Sequence, residues 1–73
     1  ALYQTFTADQ LEEGLEYIDR HPLPIVLKAD GLAAGKGVII AQTHREAHET
    51  LTDMLANQKF GEASSQVVIE QFL

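Results

Sequence analysis

Apolar positions recur along the chain with two periods, and the switches between them mark out helices and strands. Leu11, Leu15 and Ile18 stand at i, i+4 and i+7, one stripe of a 3.6-residue period, with acidic residues largely opposite. Thr7 and Gln10 form a T-x-x-Q capping box ahead of that stripe, and Phe6 and Leu11 hold the positions of a hydrophobic staple. These signals predict a helix starting at Thr7 and stopped by Pro22 and Pro24. Gly14 inside it is a mild cost of about 1 kcal/mol against alanine. A second helix opens at Thr43, with a capping box to Glu46. It buries Ala47, Leu51 and Met54 or Leu55, and Phe60-Gly61 provides its end.

Three segments are short, β-branched and apolar: Ile25-Val26-Leu27-Lys28-Ala29, Val38-Ile39-Ile40-Ala41 and Val67-Val68-Ile69. The order of elements is therefore helix, strand, glycine-rich loop, strand, helix, strand, with no repeat or linker. Each strand is apolar on both alternating faces, whereas a sheet wetted on one side alternates with polar residues. Two helices cover one face. The other is expected to be a binding surface or a contact with further protein. The apolar Phe72-Leu73 pair at the end reads as a cut through a longer chain.

Composition narrows the classes. Seventy-three residues allow one small domain. Without cysteine no disulfide or thiolate metal site staples it. No apolar run approaches the roughly 20 residues of a membrane span, and no signal peptide opens the chain, so a soluble, cytoplasmic protein is expected. A net charge of −6 speaks against nucleic acid, whose phosphates demand a basic footprint. Within that acidic chain, Lys28 and Lys36 flank a glycine-rich stretch, a local setting for a small anion.

That stretch, Asp30-Gly31-Leu32-Ala33-Ala34-Gly35-Lys36-Gly37, is neither common phosphate loop. Gly31 to Gly35 is one residue short of the P-loop spacing, and Lys36 precedes Gly37 where Ser or Thr belongs. Gly35-Lys36-Gly37 runs into Val38-Ile39-Ile40 with no third glycine of a dinucleotide fingerprint. What remains is a glycine-rich turn between strands. Such a turn lets backbone N–H groups close on a triphosphate while lysines neutralise it, or it is a long hairpin with glycines for geometry and lysines for solubility. Pattern alone leaves both open. His44 and His48 stand at i, i+4, yet no third metal ligand accompanies them, and a solvated helix face is the expectation. The acidic residues Asp9, Glu12, Glu13, Glu16 and Asp19 likewise read as a wet face. No nucleophile–base pair or carboxylate pair stands out, so no catalytic residue is expected within the segment.

Leu23 through Val38 closely resembles the K-A-[DS]-G-L-A-A-G-K-G-V signature of the phosphoribosylamine–glycine ligase (glycinamide ribonucleotide synthetase) family of ATP-grasp enzymes. The resemblance continues through the second helix to Phe60-Gly61 and to Val67-Val68-Ile69-Glu70-Gln71-Phe72-Leu73, where the family usually has V-I-E-E-[FL]-L. It implies an α+β fold: residues 1–73 as a single ATP-grasp lid subdomain, an antiparallel sheet of about three strands with two helices on one face. ATP would lie between the open sheet face and a larger domain of the same chain.

By the same resemblance, Lys28 corresponds to the strand lysine on the ATP phosphates, and Gly31, Gly35, Lys36 and Gly37 to the flap. Glu70, Gln71, Phe72 and Leu73 correspond to the hinge strand that reads adenine, with the Glu70 carbonyl accepting from the exocyclic amine and the Leu73 N–H donating to the ring. Gln71 departs from the common Glu, which leaves backbone readout intact. The full enzyme would join glycine to phosphoribosylamine through glycyl phosphate in purine biosynthesis. ATP is used with Mg²⁺, whose ligands are expected outside the segment, and the segment alone is expected to be inactive. The alternatives are a different purine-pathway ATP-grasp ligase and, in another class, a small interaction module docking a partner on its apolar sheet.

Overall fold

The computed structural model describes residues 3–30, 37–56 and 66–72. The elements run β1 (Tyr3–Thr7), a 3₁₀ turn (Ala8–Gln10), α1 (Leu11–Asp19), β2 (Ile25–Asp30), β3 (Gly37–Ala41), α2 (His44–Leu55) and β4 (Gln66–Gln71). The strands form one antiparallel sheet in the order β1-β4-β2-β3. The expected α+β architecture is present, with one strand more than the three expected. β1 is the addition: Phe6 points into the core while Tyr3, Gln4 and Thr5 stay exposed, as an edge strand allows.

Helix entry follows the expected chemistry. The backbone N–H of Thr7 donates to Gln10 Oε1 at 3.0 Å, the return arm of the capping box, and the Thr7 hydroxyl donates to Asp9. That hydroxyl, together with the backbone N–H of Asp9 itself, holds the Asp9 carboxyl below its ordinary range. A folded-state pKa below the unfolded value stabilises the entry at neutral pH, and the contribution fades as acid protonates the carboxylate. At α2, Thr43 Oγ1 accepts from Glu46 N at 3.0 Å, and Glu46 Oε1 accepts from Gln42 N at 2.9 Å. Thr43→Ala removes the first bond and is expected to cost about 1 kcal/mol, read as a lowered denaturation midpoint. An unchanged midpoint would mean that the cap is redundant. α2 closes at Leu55, where Ala56 N donates to Thr52 O; Phe60-Gly61, expected as its end, lies outside the described residues.

Both helices lie on one face of the sheet. α2 packs across β2, β3 and β4, and α1 packs against α2 and β1. The core between them holds Ile18, Leu51 and Met54 from the helices and Ile25, Leu27, Val67 and Ile69 from the strands, all fully buried. Gly14 has a role that helix propensity does not show. A Cβ built there would lie 2.7 Å from Leu51 Cδ2 and 3.4 Å from Phe6 Cγ, so the missing side chain is what lets α1 close on α2 and β1.

His44 and His48 are partly exposed, and each also holds a hydrogen-bond partner across the helix layer. His48 Nε2 donates to Asp19 Oδ1 at 2.7 Å, and His44 Nε2 donates to the His21 carbonyl at 2.9 Å, so both bridge from α2 to α1 or its exit. His21 is itself buried, with Nδ1 donating to the Pro22 carbonyl and its ring 5.3 Å from that of Tyr17. Glu12, Glu13, Glu16 and Asp19 are exposed, as expected. Among the described residues no helix is long and apolar enough to cross a membrane.

Candidate functional site

Strand alternation divides each strand between the helix-covered face and an open one. The register sets Lys28 opposite Val68 and Val38, and Val26 opposite Glu70 and Ile40. Lys28, Glu70, Val26, Val68, Val38 and Ile40 thus share the open face, and β1 adds Thr5 and Tyr3 beside Val68 and Glu70. Val38 is 51% and Ile40 42% exposed, large values for β-branched apolar side chains inside a sheet. Val26, hemmed between Glu70 and Ile40, is buried even here. The open apolar face read from the strand pattern is therefore present. Tyr3 and Thr5 are members that the pattern did not include, because their strand was not recognised.

Among the described residues, one ion pair crosses this surface. Lys28 Nζ lies 3.1 Å from Glu70 Oε2, the two side chains 46% and 33% exposed. Lys28 projects from β2 two residues before Asp30, where the strand ends toward the glycine-rich segment. Glu70 reaches it diagonally across the ladder, since its own register partner is Val26. Sequence reasoning gave Glu70 a backbone role only. The cross-strand pair becomes visible once the register is known.

The remaining site residues divide by position. Gly37 opens β3 opposite Ala29 and is buried. Gln71 ends β4 opposite Ile25, half-buried, and Phe72 follows it, 48% exposed. Gly31, Gly35, Lys36 and Leu73 lie outside the described residues.

The backbone of the last strand has a definite polarity. Phe72 N donates to the Pro24 carbonyl at 3.3 Å, one step beyond the Gln71–Ile25 pair. Hydrogen-bonded and non-hydrogen-bonded pairs alternate along an antiparallel ladder. Glu70 and Val26 are therefore a hydrogen-bonded pair, and the Glu70 carbonyl turns into the β2 ladder. Gln71 turns its backbone groups the other way, toward the β1 side, where no described residue of β1 stands opposite it.

Among the described residues the face thus combines an apolar floor with one cation and its counter-ion. That combination suits a ligand with a flat apolar part and an anionic part. Among the described residues no three His, Asp or Glu side chains converge as a metal site would require.

Residues 1–73 match the family described as Phosphoribosylglycinamide synthetase, ATP-grasp (A) domain. The chain is 58% identical over 73 residues to phosphoribosylamine–glycine ligase of Vibrio vulnificus (strain YJ016), covering all of this chain and 17% of that protein. It is 58% identical over 71 residues to the protein of the same name from Pseudomonas syringae pv. tomato, covering 97% and 16%. Against that of Fusobacterium nucleatum subsp. nucleatum it is 52% identical over 73 residues, covering 100% and 17%. The chain therefore spans about one sixth of the length of the curated relatives it matches. With the family match running from the first residue to the last, the chain belongs to the phosphoribosylglycinamide synthetase ATP-grasp (A) domain family.

Proposed function

We propose that this chain is the nucleotide-covering lid of a cytoplasmic ATP-dependent ligase that joins glycine to 5-phosphoribosylamine. Glycinamide ribonucleotide, ADP and phosphate are the products. The observation that carries the reading is the lone described cation of the open face, Lys28, set on an apolar sheet beside the root of a glycine-rich segment. ATP offers the matching pair of features, an aromatic base for the apolar face and a polyanion for the ammonium group. The name of the relatives, phosphoribosylamine–glycine ligase, supplies the two substrates to be joined.

In this reading, Lys28 neutralises phosphate oxygens while Gly31, Gly35, Lys36 and Gly37 close over the triphosphate. Residues 70–73 border adenine. The acceptor for the exocyclic amine is assigned to the Gln71 carbonyl in place of Glu70, whose carbonyl is turned into the β2 ladder, with the Leu73 N–H as donor to the ring. Backbone readout asks nothing of the side chain at position 71, so Gln is compatible with it. The glycine carboxylate attacks the γ-phosphate to give glycyl phosphate and ADP, and the amine of phosphoribosylamine then displaces phosphate. Such transfer depends on positioning and charge neutralisation more than on acid–base side chains. Mg²⁺, glycine and phosphoribosylamine would be held by the remaining domains facing the open sheet, the metal by carboxylates from outside the described residues.

The full-length ligase is expected to release one ADP and one phosphate per glycinamide ribonucleotide formed, measured by coupled ADP detection and product chromatography. The isolated 73-residue segment is expected to release none. Failure of the full-length protein to consume ATP with these two substrates, or turnover by the segment alone, would overturn the reading.

A further inference from the structure

We propose that the Glu70 side chain is a resident counter-ion that Lys28 must give up when nucleotide phosphates arrive, so that Glu70 sets the affinity for the polyanion. The inference rests on the ATP-lid reading above. Lys28 is half exposed on a largely apolar surface, and its ammonium group is already engaged at 3.1 Å. The register holds the pair in place. Lys28 stands opposite Val68 and Glu70 opposite Val26, so the side chains meet on the diagonal between two central strands, not at a frayed edge.

Two consequences follow for an incoming triphosphate. Its oxygens compete with the carboxylate for the same ammonium protons, and the carboxylate itself repels the added negative charge. Both effects scale with the charge on the ligand. A nucleoside without phosphates feels neither. Glu70 therefore acts as a positioning and selectivity residue: it holds Lys28 aimed along the open face when the site is empty, and it weakens indiscriminate capture of anions. Its side-chain role is separate from that of its peptide group, which belongs to the ladder with Val26.

The test is isothermal titration of the full-length ligase with ATP, ADP, AMP and adenosine, in the wild type and in Glu70→Gln, Glu70→Asp and Lys28→Ala. Glutamine keeps the shape of Glu70 and removes its charge. The ratio of ATP to adenosine affinity is expected to rise about two- to fivefold in Glu70→Gln, the range that exposed ion-pair strengths translate into. The gain should shrink from ATP to ADP to AMP, a trend that a general loss of packing would not produce. Glu70→Asp keeps the charge and is expected to return the ratio toward the wild-type value.

If Lys28→Ala weakens ATP while Glu70→Gln leaves the ratio unchanged or lowers it, the counter-ion role is wrong and the lid reading stands. Equal ratios in Glu70→Asp and Glu70→Gln would also overturn it, because charge would then not be the cause. If Lys28→Ala leaves ATP affinity at the wild-type value, the lid reading itself falls, and the proposal with it.

Discussion

Lys28→Ala in the full-length ligase is expected to lower kcat/KM for ATP by about 100-fold, close to 2.7 kcal/mol of transition-state stabilisation. The size follows from what the substitution leaves behind. In the proposed lid, removing the ammonium group would take away a charge-assisted contact to phosphate and would also strand the Glu70 carboxylate, formerly 3.1 Å away, on the face proposed to receive the phosphates. A double variant, Lys28→Ala with Glu70→Gln, should therefore recover part of the loss, and a double-mutant cycle measures how much. Lys28→Arg is expected to restore charge but not full activity, since a broad planar guanidinium cannot occupy the point position of a compact ammonium group. The measurement is steady-state kinetics with ATP varied at saturating glycine. A Lys28→Ala enzyme within a few-fold of wild type would show that this lysine does not touch the phosphates.

Local signals and long-range ones were unequally legible. Both capping boxes were written in residues within four positions of each other, and the structure holds those bonds at 2.9 to 3.0 Å. Thr43 opens α2 directly, whereas Thr7 opens the 3₁₀ turn that leads into α1 at Leu11. The other three strands, edge strand β3 among them, declared themselves by being apolar on both faces. β1 did not, because an edge strand with one buried residue, Phe6, carries too little apolar pattern to stand out from a loop. The bonds of His44 and His48 to the exit and the last residue of α1 join residues 23 and 29 positions apart, and no local pattern encodes them. The Lys28–Glu70 pair was hidden for the same reason: its members are individually unremarkable until β4 is known to lie against β2. Fold class and the open face that carries the candidate site thus follow from short-range chemistry. The wiring of the site follows from register.

Leu51→Ala is expected to cost 2–5 kcal/mol, roughly, in a domain whose length gives it only about 4–11 kcal/mol in all. Leu51 is fully buried where α2 meets α1, against the bare Cα of Gly14. That contact makes a second substitution informative. Gly14→Ala alone gains about 1 kcal/mol of helix propensity but drives a methyl group to 2.7 Å from Leu51 Cδ2, an overpacking of about 1–3 kcal/mol that buried Leu51 cannot relieve by turning to solvent. The single variant should be neutral to destabilising. In the Leu51→Ala background the obstacle is gone, the methyl group enters the vacated space, and Gly14→Ala should stabilise by about 1 kcal/mol. The change of sign between backgrounds is the signature of direct contact. Hydrogen exchange at the amides of α1 and α2 in the four proteins reports it without requiring the domain to unfold independently of its neighbours. Additive effects of the two substitutions would mean that α1 does not close on α2 at Gly14, and the role assigned to that glycine would be withdrawn.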